Sequence, residues 1–78
     1  MSSNKIGKII SFHRKKSGLT QKQLADLAGV GKSVVFDAEK GKETIQLNSL
    51  TKIFNALNIT IEFKSPLIHV MEKENEES

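Results

Sequence analysis

Residues 20–41, TQKQLADLAGVGKSVVFDAEKG, constrain the fold of this chain more than any other stretch. Thr20 and Gln23 form the S/T-x-x-E/Q pattern that caps the start of a helix, and Gly29 is a residue that commonly ends one. Only Gly-Val-Gly separates this helix from a second helical pattern, over residues 32–40. The segment therefore predicts two short helices joined by a tight turn.

Two further helical patterns flank this pair. Residues 5–16 combine an apolar stripe, which either Phe12 or His13 completes, with basic side chains, and residues 47–57 form the cleanest amphipathic stripe in the chain. The positions expected to face the core are Ile6, Ile9, Ile10, Leu24, Ala25, Leu27, Ala28, Val30, Val35, Ala38, Leu47, Leu50, Ile53, Phe54 and Leu57.

After Asn58 the apolar period changes from helical to two, which predicts a half-buried strand over residues 59–64, ended by Pro66. A lone strand in a helical chain has unpaired backbone groups, so we expect a second copy of the chain to pair with it. The residues expected at this dimer interface are Leu57, Ile59, Ile61 and Phe63. Residues 1–4 are expected to be a loose N-terminus, and residues 65–78 a flexible acidic tail that contains a short apolar patch.

The size and charge of the chain limit its possible functions. Seventy-eight residues form one small, marginally stable domain, and the absence of Cys leaves oligomerisation as the supplement to stability. Residues 72–78 carry four Glu and one Lys, whereas the rest of the chain carries eleven Lys and Arg against five Asp and Glu, a charge of +6. This asymmetry favours a polyanionic partner, although ordinary solubility charge explains it equally well. With no signal or membrane span in the sequence, we expect a cytoplasmic protein that does not enter a membrane.

The helical pair meets the requirements of a DNA-binding helix-turn-helix. Such a motif needs a small residue where the helices cross, a glycine at the turn and apolar residues that lock the second helix in place. These residues are Ala25, Gly29, Val30, Val35 and Ala38. Residues 32–40 are therefore predicted to enter the DNA major groove. The alternative is a helical domain that uses the same hairpin to bind a protein.

The segment LTQKQLADLAGVGKSVVFDAEKGK resembles the Xre/Cro-type repressor family, whose pattern is LTQ-x-x-LA-x-x-x-G-V followed by a recognition helix that ends in E-x-G. The resemblance covers residues 9–57. The helix LNSLTKIFNALN followed by ITIEF is similar to the HipB-like antitoxins of that family, in which a strand pairs across the dimer. The resemblance implies a mainly α, four- to five-helix repressor-like domain over residues 5–58, plus a dimerisation strand over residues 59–64.

The same resemblance implies a set of DNA-contacting residues. Gln21 matches a phosphate-contacting glutamine at a helix N-terminus, where anions bind favourably. The residues expected to contact phosphate are Thr20, Gln21, Lys22, Lys40 and Lys42. The residues expected to read bases are Lys32, Ser33, Val34, Phe36 and Asp37.

Within the base-reading set, Lys32 can donate to guanine, Ser33 is permissive, and Val34 can meet a thymine methyl group. Asp37 can accept from cytosine but repels phosphates, so its role stays open. Phe36 departs from the family pattern and indicates either an apolar base contact or a partner surface. Outside this set, Arg14 and Glu39 match a salt bridge between the first and third helices, the alternative being that both are solvated.

Other functions find less support in the sequence. Residues 31–33, Gly-Lys-Ser, lack the earlier glycine and the preceding strand of a P-loop. His13 has no second ligand at metal-site spacing, so it is interpreted as a surface or boundary side chain. No cofactor or catalytic set is expected, and the chain is predicted not to be an enzyme.

The sequence therefore predicts a homodimeric, sequence-specific repressor of a palindromic double-stranded DNA operator. The resemblance to HipB-like proteins implies an antitoxin that regulates its own operon and neutralises a HipA-like serine/threonine kinase toxin. The alternatives are a free-standing Xre-type regulator and a protein-interaction module without specific DNA binding.

Overall fold

The structure, a computed structural model, describes residues 3–77. It contains five helices: α1 (Ser3–Lys16), α2 (Gln21–Ala28), α3 (Lys32–Glu39), α4 (Leu47–Ala56) and α5 (Ile68–Glu77). The mainly α fold is as predicted, and the first four helices lie within a few residues of their predicted bounds. Of the N-terminus expected to be loose, residues 1 and 2 lie outside the described residues, whereas Ser3 and Asn4 belong to the first turn of α1.

Helices α1 to α4 surround one small core, and α3 contacts each of the other three. All four helices contribute to this core because each carries an apolar stripe at helical spacing. Its buried members are Ile10, Leu24, Ala25, Val35, Ala38, Ile53, Phe54 and Leu57. No buried side-chain polar atom in the described part of the chain lacks a hydrogen-bond partner. All eight buried side chains of the core are apolar, so the core itself stabilises the fold through apolar packing.

Both ends of α2 have the structure that the sequence predicts. The amide of Gln23 donates to Thr20 Oγ1 at 3.0 Å, and the amide of Thr20 donates to Gln23 Oε1 at 2.8 Å. At the other end Gly29 adopts a left-handed conformation with φ 74°, and its amide donates to the carbonyl of Ala25 at 2.9 Å. A residue with a Cβ would be strained in this conformation, so glycine is favoured at the turn between α2 and α3.

Two of the side chains expected to be buried are exposed: Leu27 is 64% exposed and Leu47 is 68% exposed. Of the two alternatives for completing the apolar stripe of α1, Phe12 is 58% exposed and His13 is half-buried. The inward face of α2 is formed instead by Leu24 and Ala25, and no described element of this single chain covers Leu27. Helical spacing gives the direction of an apolar stripe, but it does not give its width.

The predicted strand has no strand conformation in the single chain. Residues 59–65 belong to neither a helix nor a strand, since no other described segment offers an edge to pair with. Asn58 ends α4 in the left-handed region with φ 59°, and the amide of Ile59 donates to the carbonyl of Phe54 at 2.9 Å. Pairing across a dimer stays a prediction.

The four residues expected at the dimer interface divide into two groups. Leu57 is only 8% exposed because it belongs to the core of its own chain, which corrects its assignment to the interface. Ile59 is half-buried against that core. Ile61 and Phe63 are 41% and 75% exposed, so these two are available to a second copy.

The expectation of a flexible acidic tail is wrong for residues 68–77, which form α5. The segment combines Met, Glu and Lys, which are good helix formers, with Pro66 just before the helix starts. The hydroxyl of Ser65 accepts the amide of Leu67 at 3.3 Å. Helix α5 does not pack extensively against α1 to α4. Its order is therefore mainly local.

Candidate nucleic-acid interface

Helix α3 has one buried face and one exposed face. Val35 and Ala38 are almost fully buried against the core, and Val34 is half-buried against it. Lys32 and Ser33, in the first turn of α3, are exposed. The side chains at the N-terminal end of α3 are therefore presented to solvent by a helix whose opposite face is fixed.

An ion pair fixes the other end of α3. Arg14 Nε donates to Glu39 Oε2 at 2.6 Å and Arg14 Nη2 to Glu39 Oε1 at 3.0 Å, a bidentate arrangement. The Arg14 and Glu39 side chains are 13% and 8% exposed. Arg14 Nη1 also donates to the carbonyl of Leu19 at 2.9 Å, so α1, α3 and the loop before α2 are held together. The hydrogen bonds that Arg14 donates to Glu39 and the attraction of the Glu39 charge raise the pKa of Arg14 above its ordinary value, against the opposing effect of burial.

The same carboxylate holds the first residue of α2. Gln21 Nε2 donates to Glu39 Oε1 at 3.3 Å, and Gln21 is half-buried. The sequence predicts that Gln21 contacts phosphate. In the structure its amide group belongs to the network that orients α2 against α3, at the N-terminus of α2.

The close approach of α1 to α3 depends on Gly7, a residue that the sequence analysis did not single out. A Cβ on Gly7 would lie 2.5 Å from the carbonyl oxygen of Glu39 and 2.8 Å from that of Ala38, so only glycine fits. An unexplained glycine inside a helix, where it costs about 1 kcal/mol relative to alanine, is the signal that indicates such a contact.

Two pairs of side chains lie on the outer side of α3 and just beyond its end. The ammonium group of Lys40 lies 4.8 Å from the centroid of the Phe36 ring, and Phe36 is 44% exposed. Lys42 Nζ lies 3.4 Å from Asp37 Oδ2. The Lys42 charge offsets the repulsion between Asp37 and phosphates that the sequence analysis expects.

The remaining phosphate-contacting candidates lie at the start of α2. Thr20 and Lys22 are exposed there, and Lys22 Nζ lies 3.4 Å from Asp26 Oδ2 in a fully solvated pair. The structure thus collects most of the predicted base-reading and phosphate-contacting residues on α3 and at the start of α2. Val34 is set apart from them by its packing against the core.

Other kinds of site find no support in residues 3–77. That range contains no group of three or more His, Cys, Asp or Glu side chains placed to hold a metal ion. His13 Nδ1 lies 2.7 Å from the carbonyl oxygen of Ile9, one turn earlier in α1, as a boundary histidine would. None of the helices in the same range is long and apolar enough to cross a membrane.

The sequence profile of the helix-turn-helix family matches residues 12–64, which include the whole of α2, α3 and α4. The chain belongs to this family of DNA-binding regulators. An uncharacterised HTH-type transcriptional regulator, y4mF of Sinorhizobium fredii, is 34% identical over 61 residues, which cover 78% of this chain and 80% of that protein. The family is thus shown both by the profile and by a relative of similar length.

Solved structures extend the similarity to the arrangement of the helices. A chain of the HipA–HipB–O2–O3 complex superimposes with a TM-score of 0.76 at 20% identity, covering 85% of this helix-turn-helix chain and 93% of that chain. A chain of a HipB–O2 20mer complex gives the same TM-score and identity and covers 85% and 92%. The fold is therefore HipB-like, within the Xre-type helix-turn-helix family that the sequence resembles.

Proposed function

We propose that the protein is a dimeric, cytoplasmic transcriptional repressor that recognises a palindromic double-stranded DNA site with α3 in the major groove. The observation that carries this proposal is the preorganisation of α3. Its inner face is fixed by the core, by the Gly7 contact and by the Arg14–Glu39 ion pair, while Lys32 and Ser33 are exposed at its N-terminal end. A helix held in this way can present base-reading groups without reordering on binding.

Base reading and phosphate binding are assigned to different residues of this surface. Lys32 can donate to guanine O6 and N7, and Ser33 can contact several bases. Thr20, Lys22 and Lys40 lie at the start of α2 and beyond α3, where they can contact phosphates. Phosphate contacts give affinity and register, so the sequence preference falls mainly on α3.

An apolar groove supports dimerisation. Residues 59–63 border it on one side, and α1 and α4 form the rest of its wall, with a volume of about 320 Å³. Its lining includes Leu47 and Ile61, which are 68% and 41% exposed in the single chain. A second copy that paired with residues 59–64 would cover these side chains and supply the missing edge. The two α3 helices would then face half-sites about one helical turn, or a small multiple of it, apart.

A substitution at Ile61 tests this interface. Ile61→Asp places a charge where the second copy would pack, so we expect a monomer in sedimentation with helical circular dichroism retained. Lys64→Asp, at the end of the same segment, is the matched control and should leave a dimer. A dimer that survives Ile61→Asp would place the interface elsewhere.

The HipB-like fold supports a second element of the proposal. HipB occurs with HipA, O2 and O3 in a solved complex, and the chain shares the fold of a chain in that complex. We propose that the protein is an antitoxin that represses its own operon and binds a HipA-like kinase toxin. Recovery of such a kinase with the tagged protein, expressed from its own operon, would support this role. Specific DNA binding without a kinase would favour a free-standing regulator.

The test of DNA recognition is selection from a random duplex pool at about 0.15 M salt, where generic attraction to phosphates is weakened. We expect an enriched palindrome. Enrichment of nothing, with weak and steeply salt-dependent binding, would overturn specific recognition and favour a protein-interaction module.

The enriched duplex then tests Lys32. Lys32→Ala should weaken binding to it by about 1–3 kcal/mol and relax the preference at the base that Lys32 reads. The control is Lys52→Ala, which removes an exposed positive charge on α4 and should change DNA binding little. If Lys32→Ala weakened binding to the enriched duplex and to random duplexes equally, Lys32 would contact only phosphate.

A further inference from the structure

The exposed face of α3 carries one large apolar side chain. Phe36 is 44% exposed, whereas Val35 is fully buried and Val34 packs against the core. Residues spaced by four lie above one another on a helix, so Lys32 and Lys40 flank Phe36 on the same stripe. An aromatic ring therefore lies between two cationic side chains on the surface proposed to enter the DNA.

One of these lysines contacts the ring. The ammonium group of Lys40 lies 4.8 Å from the ring centroid, within the range of a cation–π contact. Phe36 is still 44% exposed beside this contact, so part of the ring is available to a partner. Lysine has three N–H donors, so Lys40 can contact the ring and still donate to a phosphate.

The surroundings of Phe36 select the kind of partner that it can meet. A protein partner would be expected to cover a contiguous apolar patch, but the stripe around Phe36 is cationic. The two DNA backbones that border the major groove offer phosphates to the lysines, and the pyrimidine bases exposed inside the groove offer an apolar group to the ring. That group is the 5-methyl group of thymine, which 5-methylcytosine also carries.

We propose that Phe36 is a specificity-determining residue that recognises the 5-methyl group of a pyrimidine in the major groove. This inference rests on the proposed DNA-binding function and names the chemical group that it reads. Phe36, and not Val34, makes the methyl contact, because Val34 is packed against the core. Of the two roles open to Phe36, a base contact and a partner surface, the base contact is the one proposed.

The experiment uses the full chain and the duplex recovered from the random pool. Each thymine pair of that duplex is replaced in turn by uracil, which removes only the methyl group, and binding is measured by fluorescence anisotropy. At one position, repeated in both half-sites, the unsubstituted protein should lose about fourfold in affinity for each methyl group removed. This is the change in affinity expected when one apolar carbon is no longer buried. Phe36→Ala should bind the thymine and uracil duplexes equally.

Cytosine substitutions at the same position distinguish the two sources of the methyl group. If the protein recognises the methyl group alone, the duplex with 5-methylcytosine should bind about fourfold more tightly than the duplex with cytosine. Phe36→Ala should abolish this difference. If thymine is sensitive and 5-methylcytosine is not, the contact is specific to thymine. Either pattern supports a Phe36–methyl contact.

The chain offers a matched control in α1. Phe12 is 58% exposed and has Lys16 four residues later, with its ammonium group 5.7 Å from the ring centroid. Phe12→Ala removes the same kind of pair from another helix and should leave methyl sensitivity unchanged. Phe36→Leu, which keeps an apolar side chain without the cation–π contact, should retain part of the sensitivity and guards against a folding defect in Phe36→Ala.

The inference is overturned if no uracil substitution affects binding, or if Phe36→Ala and Phe36→Leu keep the full sensitivity of the unsubstituted protein. Both results are obtained on a duplex that the protein binds specifically, so they leave the proposed DNA-binding function intact. If the pool yields no enriched duplex, the DNA-binding proposal fails first, and the methyl-reading role of Phe36 fails with it.

Discussion

The α2–α3 unit and the C-terminal segment of residues 59–77 differ in what holds them. The first is fixed by a capping box, a left-handed glycine, a shared core and a nearly buried ion pair. The second consists of residues 59–67, which have no regular structure, followed by α5, which packs little against α1 to α4. Phe63 and Leu67 in this segment are more than 70% exposed. The proposed DNA-binding half is therefore complete in one chain, whereas the C-terminal half is not.

The largest expected difference between the two regions comes from removing a leucine side chain. Leu24 is fully buried between α2 and its neighbours, so Leu24→Ala should lower the free energy of unfolding by about 2–5 kcal/mol. Urea denaturation followed by circular dichroism measures this loss. In a domain of this size a loss at the upper end would prevent folding.

The matched change in the C-terminal segment is Leu67→Ala. Leu67 is 71% exposed, and a substitution at such a site should change stability by no more than about 0.5 kcal/mol. Comparable losses for Leu24→Ala and Leu67→Ala would contradict the division of the molecule into a packed half and an unpacked half.

This division also explains which features the sequence predicts. The α2–α3 unit is determined by local chemistry: Thr20 and Gln23 cap a helix wherever they occur at this spacing, and Gly29 favours the left-handed turn. The core positions Leu24, Val35 and Ile53 follow from helical periodicity. These features need no knowledge of the rest of the fold.

Features that depend on distant parts of the chain were predicted less well. The exposure of Leu27, which helical spacing assigns to the core, depends on which helices cover α2. The acidic composition of residues 72–78 predicts a flexible tail, whereas the Met, Glu and Lys residues of α5 also favour a helix, and the helix is what forms. The Arg14–Glu39 pair was predicted through a family resemblance, since 25 positions separate the two residues.

The next largest effect should come from breaking that ion pair. Glu39→Ala removes the carboxylate partner of Arg14, whose side chain is only 13% exposed, and also releases Gln21. We expect a loss of about 2 kcal/mol, because a nearly buried charge loses its partner. A thermal melt and urea denaturation both measure it.

The control for Glu39→Ala breaks an exposed ion pair. In Asp26→Ala the partner is Lys22, and the two side chains are 68% and 72% exposed, so solvent screens the interaction and stability should change little. If Glu39→Ala were equally mild, the Arg14–Glu39 pair would contribute no more than a surface contact, and the rigidity assigned to α3 would need another source.

A smaller loss is expected from adding one methyl group to Gly7. In Gly7→Ala the new Cβ meets the Glu39 carbonyl oxygen at 2.5 Å, so α1 and α3 must move apart. The strain of overpacking exceeds the gain in helix propensity, and we expect a net loss of about 1–2 kcal/mol. Because the displaced helix is α3, binding to the enriched duplex should weaken as well.

Gly31→Ala is the control for this substitution. Gly31 precedes α3 with φ −72°, and a Cβ there would approach only the Ser33 hydroxyl, at 3.8 Å. Its stability should stay within about 0.5 kcal/mol of the unsubstituted protein, since the backbone conformation suits alanine and the space is open. A loss in Gly31→Ala equal to that in Gly7→Ala would mean that glycine is needed for flexibility and not for the close approach.

The smallest effect on the body should come from a change that destroys α5. Lys73→Pro lies in the middle of Ile68–Glu77, where proline removes an amide donor and clashes with the preceding turn. Helical circular dichroism should fall, yet the free energy of unfolding of α1 to α4 should change by less than about 0.5 kcal/mol, because α5 scarcely contacts them. A loss above 1 kcal/mol would mean that α5 packs on the body or on a second copy. Repeating the denaturation over a range of protein concentrations separates these two cases, since only contact with a second copy makes the loss depend on concentration.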